Sequence, residues 1–250
     1  MNGCMKSTSQ PALVEKTAPL GRKRLPVSAS RWGGALCLLT AVLSVVSCAS
    51  LPPLAPLEPA LAPAALETCR KPFPDRKVRL VHAMTAVMPG ERESAAIGVF
   101  SADPATGRFR SVLMTVEGFV LFDIEAGETL QVHRAVPPFD APAFAPRMAE
   151  DIGLAFFSPG DRPEVLGREA GGGLVCRYER SGGETVDVAE IEKTGFEIRL
   201  YGAGQDLRKR VRIPHLERPG LPEELEIWGV GWPAYGLKFR LIEAEAIEKE

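Results

Sequence analysis

The sequence predicts a mainly β chain with few helices, an α+β arrangement in which one large, curved, antiparallel sheet carries a helix over its apolar face. Three observations predict it. From Lys77 onward apolar and polar residues alternate with period two, as strands with one buried face require. Clusters of Gly, Pro and Asp interrupt the alternation and turn the chain from one strand into the next. A single stretch, 143–157, breaks the pattern with apolar residues at helical spacing.

Taken in order, the first 47 residues read as an export signal. Lys6, Lys16, Arg22, Lys23, Arg24 and Arg31 precede an apolar run from Gly33 to Val46, with Glu15 the only acid. That run has 14 residues, short of the roughly 20 that a bilayer-spanning helix needs, so it fits a signal-peptide core. It ends in Val45-Val46-Ser47-Cys48, which resembles the lipobox of bacterial lipoproteins, where cleavage leaves an acylated cysteine as residue one. Ala49-Ser50 lack the aspartate that retains enteric lipoproteins at the inner membrane, so the resemblance implies the outer membrane, with the chain lipid-anchored on its periplasmic face.

Residues 48–76 are expected to be a proline-rich tether. Pro52, Pro53, Pro56, Pro59 and Pro63 lie among alanines and leucines, which favours extended polyproline conformations. A helix from 60 to 70 is the rival reading, for the second half only.

Strands are then expected along the whole domain 77–250 on both sides of the helix. The alternating segments are 78–84, 94–102, 108–116, 119–124 and 129–136 before the helix. After it come 163–168, 173–180, 185–191, 195–201, 207–213, 223–228 and 235–244. Asp103-Pro104-Ala105-Thr106-Gly107 reads as a hairpin turn, and Pro137-Pro138 stops a strand. In the helix Phe144, Met148, Ile152, Ala155 and Phe156 share a face, Pro142 or Pro146 sits in the first turn, and Ser158-Pro159-Gly160 ends it. Phe196, Ile198 and Leu200 point one way, as do Leu237, Phe239 and Leu241, with charges on the opposite face. One helix cannot cover so wide a dry face. Curling of the sheet, the Trp228–Tyr235 loop or a ligand must cover the rest.

Setting aside six basic and one acidic residue of the leader from 30 and 32 leaves 24 against 31, a formal charge of −7 on 203 residues. That balance does not suit nucleic acid. Of five cysteines only Cys69 and Cys176 are free of the leader and the lipid site; in an oxidising compartment they are candidates for a disulfide, though sequence cannot show that they meet. Two cysteines and three scattered histidines give no metal-ligand spacing, and no cofactor motif is present.

Catalytic signatures are missing too: no nucleophile elbow, no HExxH helix and no Ser-xx-Lys pair. His82, His133 and His215 read as edge or partly exposed sheet residues, and Glu150-Asp151 as the solvated side of the helix. Gly171-Gly172-Gly173 reads as a hairpin connection. Arg208, Arg210 and Arg212 form a stripe that pairs across strands with Glu224 and Glu226, or else meets lipid phosphates. Trp228, Trp232 and Tyr235 suit a membrane interface, a cavity mouth or a plug of core at the end of the sheet.

Residues 77–247 resemble the fold family of periplasmic lipoprotein carriers and their outer-membrane receptors, the LolA/LolB-like proteins. The resemblance is carried by the strand, glycine break and aromatic strand of 110–122, the Pro137-Pro138 stop, the helix segment 148–156, and the strands 222–228 and 235–241. It implies an unclosed barrel with helices over an apolar cavity that accepts acyl chains. Met114, Val116, Phe122, Phe196, Ile198, Trp228 and Phe239 are the expected cavity residues. The implied role is a non-enzymatic lipoprotein that binds or transfers lipid or lipidated cargo. The receptors deliver cargo with a protruding loop bearing an exposed leucine, and Val87-Met88-Pro89-Gly90 is the nearest counterpart by sequence. The alternative is a structural or assembly lipoprotein with a filled core and a periplasmic or inner-membrane protein partner. A periplasmic hydrolase requires a cleft that gathers carboxylates, or a serine and a histidine, from distant strands.

Overall fold

The structure is a computed structural model that describes residues 51–88, 92–230 and 234–247. The expected export leader, Cys48, Pro89, Gly90 and Trp232 lie outside the described residues.

Thirteen strands form one antiparallel sheet. They are β1 (Ala55–Pro56), β2 (Val78–Met88), β3 (Arg92–Asp103), β4 (Arg108–Met114), β5 (Val120–Ala126), β6 (Leu130–Ala135), β7 (Val165–Arg168), β8 (Leu174–Glu179), β9 (Thr185–Ile191), β10 (Gly195–Tyr201), β11 (Leu207–Ile213), β12 (Glu224–Gly229) and β13 (Tyr235–Ala246). Among the described residues two α-helices, α1 (Ala62–Arg70) and α2 (Phe144–Phe156), accompany them. The strand order is β1-β7-β8-β9-β10-β11-β12-β13-β2-β3-β4-β5-β6, so the sheet does not close.

That order has a simple origin. β2 to β6 form one meander and β7 to β13 another, and the last strand of the second pairs with the first strand of the other, Gly236 opposite Val87 through Ala246 opposite Val78. The connection from β6 to β7 must therefore run from one edge of the sheet almost to the other. It does so across the inner face, and α2 lies within it. The topology places a helix over the apolar side before any side-chain preference is considered.

The expected alternation sets the inner face. Leu80, Phe100, Phe109, Phe122, Ile124, Val186, Ile198, Leu200, Val211, Ile213, Leu225 and Ile227 are buried in one core. Helix α2 adds Ile152, Leu154, Ala155 and Phe156. Apolar burial of about 1.5–3 kcal/mol for each large side chain is the main force holding helix to sheet.

The expected tether requires correction. From Pro52 onward the proline-rich segment is part of the fold. Extended backbone is what its prolines favour, and extended backbone beside an unpaired strand completes a ladder. Ala55 and Pro56 pair with Arg168 and Gly167, Leu57 N–H donates to Leu166 O at 3.1 Å, and Arg177 Nη2 donates to Pro52 O at 2.9 Å. The chain then turns onto the inner face as α1, which buries Ala65 and Cys69. The helical alternative for the second half of the segment is the one found.

Cys69 and Cys176 are joined as a disulfide with a Cα–Cα distance of 6.3 Å and 107 residues between them in sequence. It fixes α1 against β8. Closing so long a loop removes much freedom from the unfolded chain. Replacing both cysteines by alanine is expected to lower the unfolding free energy by about 2–5 kcal/mol, read as a lower urea midpoint; an unchanged midpoint would assign the docking of α1 to packing alone.

Candidate functional site

The space between α2 and the sheet is the candidate site. It is lined by His82, Met84, Phe100, Leu113, Phe122, Met148, Ile152, Phe156, Ile227, Leu237 and Phe239, and its free volume is about 30 Å³, room for a single water. Aromatic contacts fill it. Phe100 and Phe156 stack with centroids 4.6 Å apart; Phe122 meets Phe144 edge-on at 4.9 Å, and Phe144 meets Phe139 at 5.1 Å. Gly98 makes this possible near Met84, since a Cβ at that position would lie 2.5 Å from the Met84 sulfur.

Two polar features interrupt this apolar interior. His82 is 3% exposed, against the expectation of an edge or partly exposed residue. It faces inward because it follows Leu80 by two on β2, opposite Leu241 on β13. Its ring packs on Phe156 and Phe239, its Nε2 has no hydrogen-bond partner, and burial pushes the imidazole down to about 4.

The second feature is a clasp on α2. Lys209 projects inward from β11 and bonds Asp151, with Glu150 Oε2 at 2.7 Å. Tyr235 donates its hydroxyl to the same Asp151 carboxylate at 2.8 Å. Asp151 is 4% exposed. Glu150 and Asp151 are thus the sheet-facing anchor of the helix, not its solvated side. Burial raises the Asp151 carboxyl, and Lys209 and the Tyr235 hydroxyl pull it back down.

Beyond the C-terminal end of α2 the sheet opens into a groove of about 440 Å³ lined by Phe109, Leu154, Phe157, Val186 and Ile198, with Gly153 on its helical wall. Arg180 and Asp161 are the charged residues among those lining it. A Cβ added at Gly153 would meet nothing within 4 Å.

The expected cavity residues divide into three groups. Phe122 and Phe239 line the filled interior; Ile198 lines the groove, with Phe196 two residues away in the same core. Met114, Val116 and Trp228 do not belong to either. Met114 is opposite Ile97, on the outer face, because Leu113 beside it takes the inner position. Val116 lies in the β4–β5 turn and is 70% exposed. Trp228 follows inward-facing Ile227 and so lies outward, its ring so near Gly236 that a Cβ there would come within 2.5 Å. Tyr235 turns inward to the clasp.

Outside, the arginine stripe of β11 pairs toward acids other than those expected. Arg208 meets Glu184, Arg210 meets Glu197 and Arg212 meets Glu192, while Glu224 meets Arg240. His133 and His215 sit at the surface beside Glu125 and Glu217. Gly172 closes the β7–β8 turn by donating to Glu169 O. Among the described residues, no group of three or more His, Cys, Asp and Glu side chains is placed to hold a metal.

The chain is similar in structure to a LolA superfamily protein from Nitrosomonas europaea, at a TM-score of 0.51 and 13% identity, covering 76% of this chain and 94% of that one. What the two share is the fold, a large open antiparallel sheet carrying helices. No family model and no curated protein sequence matches the chain.

The buried histidine gives a pH test. His82 stays neutral in the fold but binds a proton below about pH 6.5 when unfolded, so its contribution is full above that pH and is lost as pH falls toward 4. Stability at pH 5 is expected to fall below that at pH 7 by about 2 kcal/mol, and His82→Leu is expected to remove that share of the difference in paired urea titrations. An unchanged pH dependence in the variant would clear His82 of the effect.

Proposed function

We propose that this chain is an outer-membrane-anchored periplasmic lipoprotein that binds or transfers lipid or lipidated cargo on the inner face of its open sheet, without catalysis. The observation that carries the reading is the groove beside α2. About 440 Å³ falls within the usual range of small-molecule sites, the inner-face side chains Phe109, Val186 and Ile198 line it together with loop residues 158–161, and Arg180, alongside Asp161, gives it a cation suited to an acidic headgroup or carboxylate.

The exposed turn of residues 115–119 supports transfer. Thr115 N–H donates to Phe119 O and Gly118 N–H to Thr115 O, with Gly118 at φ +89°, so the turn is tight and its side chains point outward. Val116 and Phe119 are 70% and 53% exposed. An apolar tip of this kind is the counterpart of the receptors' loop that the structure supports better than 87–90, of which Pro89 and Gly90 lie outside the described residues. A second reading, a structural or assembly lipoprotein with a protein partner, draws its support from the interior under α2, which is already filled.

A fluorescent fatty-acid probe separates the two readings. Gly153→Phe starts from a Cβ that meets nothing within 4 Å on the helical wall of the groove and removes a helix-interior glycine, so the fold is expected to persist. Probe affinity is expected to fall at least about tenfold, a loss of about 1.4 kcal/mol. No probe binding to the native protein, or equal binding by the variant, would favour the assembly reading. For the anchor, Cys48→Ser is expected to leave an uncleaved precursor that takes up no labelled palmitate; labelling at the native level would sink the lipid-anchor reading.

A further inference from the structure

We infer that the sheet edge formed by β1 and β7 is a membrane-contact face, seated on the lipid interface by a leash only a few residues long. The inference rests on the reading of Cys48 as the acylated residue, and adds to it where the bilayer touches the fold. Its basis is how early in the described chain the backbone is bonded to the sheet. Pro52 O is held by Arg177 Nη2. The Leu54 side chain lies over Gly167, so close that a Cβ there would be 2.8 Å away. Ala55 and Pro56 are paired, Leu57 N–H is bonded to Leu166 O, and the disulfide fixes α1 beyond them.

Three residues therefore separate Cys48 from the first fixed group. Fully extended, that length of chain spans about 14 Å. A domain on so short a leash cannot stand away from the membrane, and the part nearest the acyl chains is the edge where the leash enters.

The chemistry of that edge fits the same partner. Leu61 and Val165 are 45% and 41% exposed, and Pro53, Ala55 and Pro56 are exposed beside them. Prolines 53 and 56 have no N–H to offer, so the outer side of β1 is a poor template for another strand. A partner protein docking by strand addition is disfavoured. A proline-capped rim that exposes Leu61 and Val165 among the charged Glu58, Glu164 and Arg168 is amphipathic, as the boundary between headgroups and acyl chains requires. The formal charge of −7 on residues 48–250 gives anionic lipid no role, so the contact is expected on zwitterionic lipid.

The test uses the full chain, exported and acylated in a bacterium, then reconstituted in phosphatidylcholine vesicles carrying nitroxide-labelled acyl chains. A thiol fluorophore is placed by Leu61→Cys, by Val165→Cys, or by Glu224→Cys on the outer face near the middle of the sheet. Quenching is expected at 61 and 165 and absent at 224. Inserting about fifteen Gly and Ser residues after Ser50 is expected to reduce quenching at 165 at least about threefold, because effective concentration falls with linker length. Palmitate-labelled, vesicle-bound protein without quenching at 61 and 165 would overturn the contact face while leaving the anchor intact. Quenching unchanged by the insertion would overturn the leash. A chain that takes up no palmitate and does not bind vesicles would overturn the anchor, and the inference with it.

Discussion

The pairing of β13 with β2 is the constraint on which the rest of this structure depends. It joins two meanders that are each local in sequence and, by doing so, assigns the two free edges to β1 and β6. The chain must then pass from β6 to β7 over the inner face, so a helix in that connection becomes the cover of the core. The register shift between Leu241 and Glu243 lies on β13 and moves its inward set from Leu237, Phe239 and Leu241 to Ala244, while β2 keeps one alternation of inward residues, Val78, Leu80 and His82.

The interior that results is apolar but not uniform. Under the middle of α2 the phenylalanines pack until about one water's volume is left, and the helix is held at one side by the charged clasp of Asp151, Glu150 and Lys209. Buried ion pairs add less to stability than their geometry suggests, because desolvation offsets much of the attraction; their stronger effect is to fix the position of α2 on the sheet. Past the other end of the helix the covering stops, and the groove lined by Phe109, Leu154 and Ile198 remains open. One helix, placed and oriented in this way, gives both a closed core and an open pocket.

The proline-rich segment connects the fold to its proposed anchor. Its prolines favour the extended backbone that β1 needs, and they leave the outer side of that strand without a full set of donors. The disulfide from α1 to β8 then ties the first part of the segment to the sheet over a 107-residue separation. Any force transmitted through Cys48 reaches the domain at this edge.

Strand positions were legible because period-two alternation is a local signal: 185–191, 195–201 and 207–213 are strands with those bounds. The inward set of Phe196, Ile198 and Phe239 followed from the same rule. Val116 escaped it because the expected strand 108–116 overran the end of β4 at Met114, Met114 because its neighbour Leu113 takes the inward position, and Trp228 because an aromatic side chain on the outer face can cover a neighbouring glycine instead of entering the core. Asp151 and Lys209 are 58 residues apart, and no helix-period pattern reveals that a carboxylate on an apparent solvent side has a cation waiting beneath it. By itself, then, the sequence determined the β class, the positions of most strands, the long amphipathic helix α2 and the lipobox-like motif, all of which depend on neighbours within a few residues. Tertiary structure alone decided that the spacer is a strand and a helix, that His82 is buried, and that side chains fill the space under α2 while a groove lies past its end, because those outcomes depend on which distant strands lie side by side.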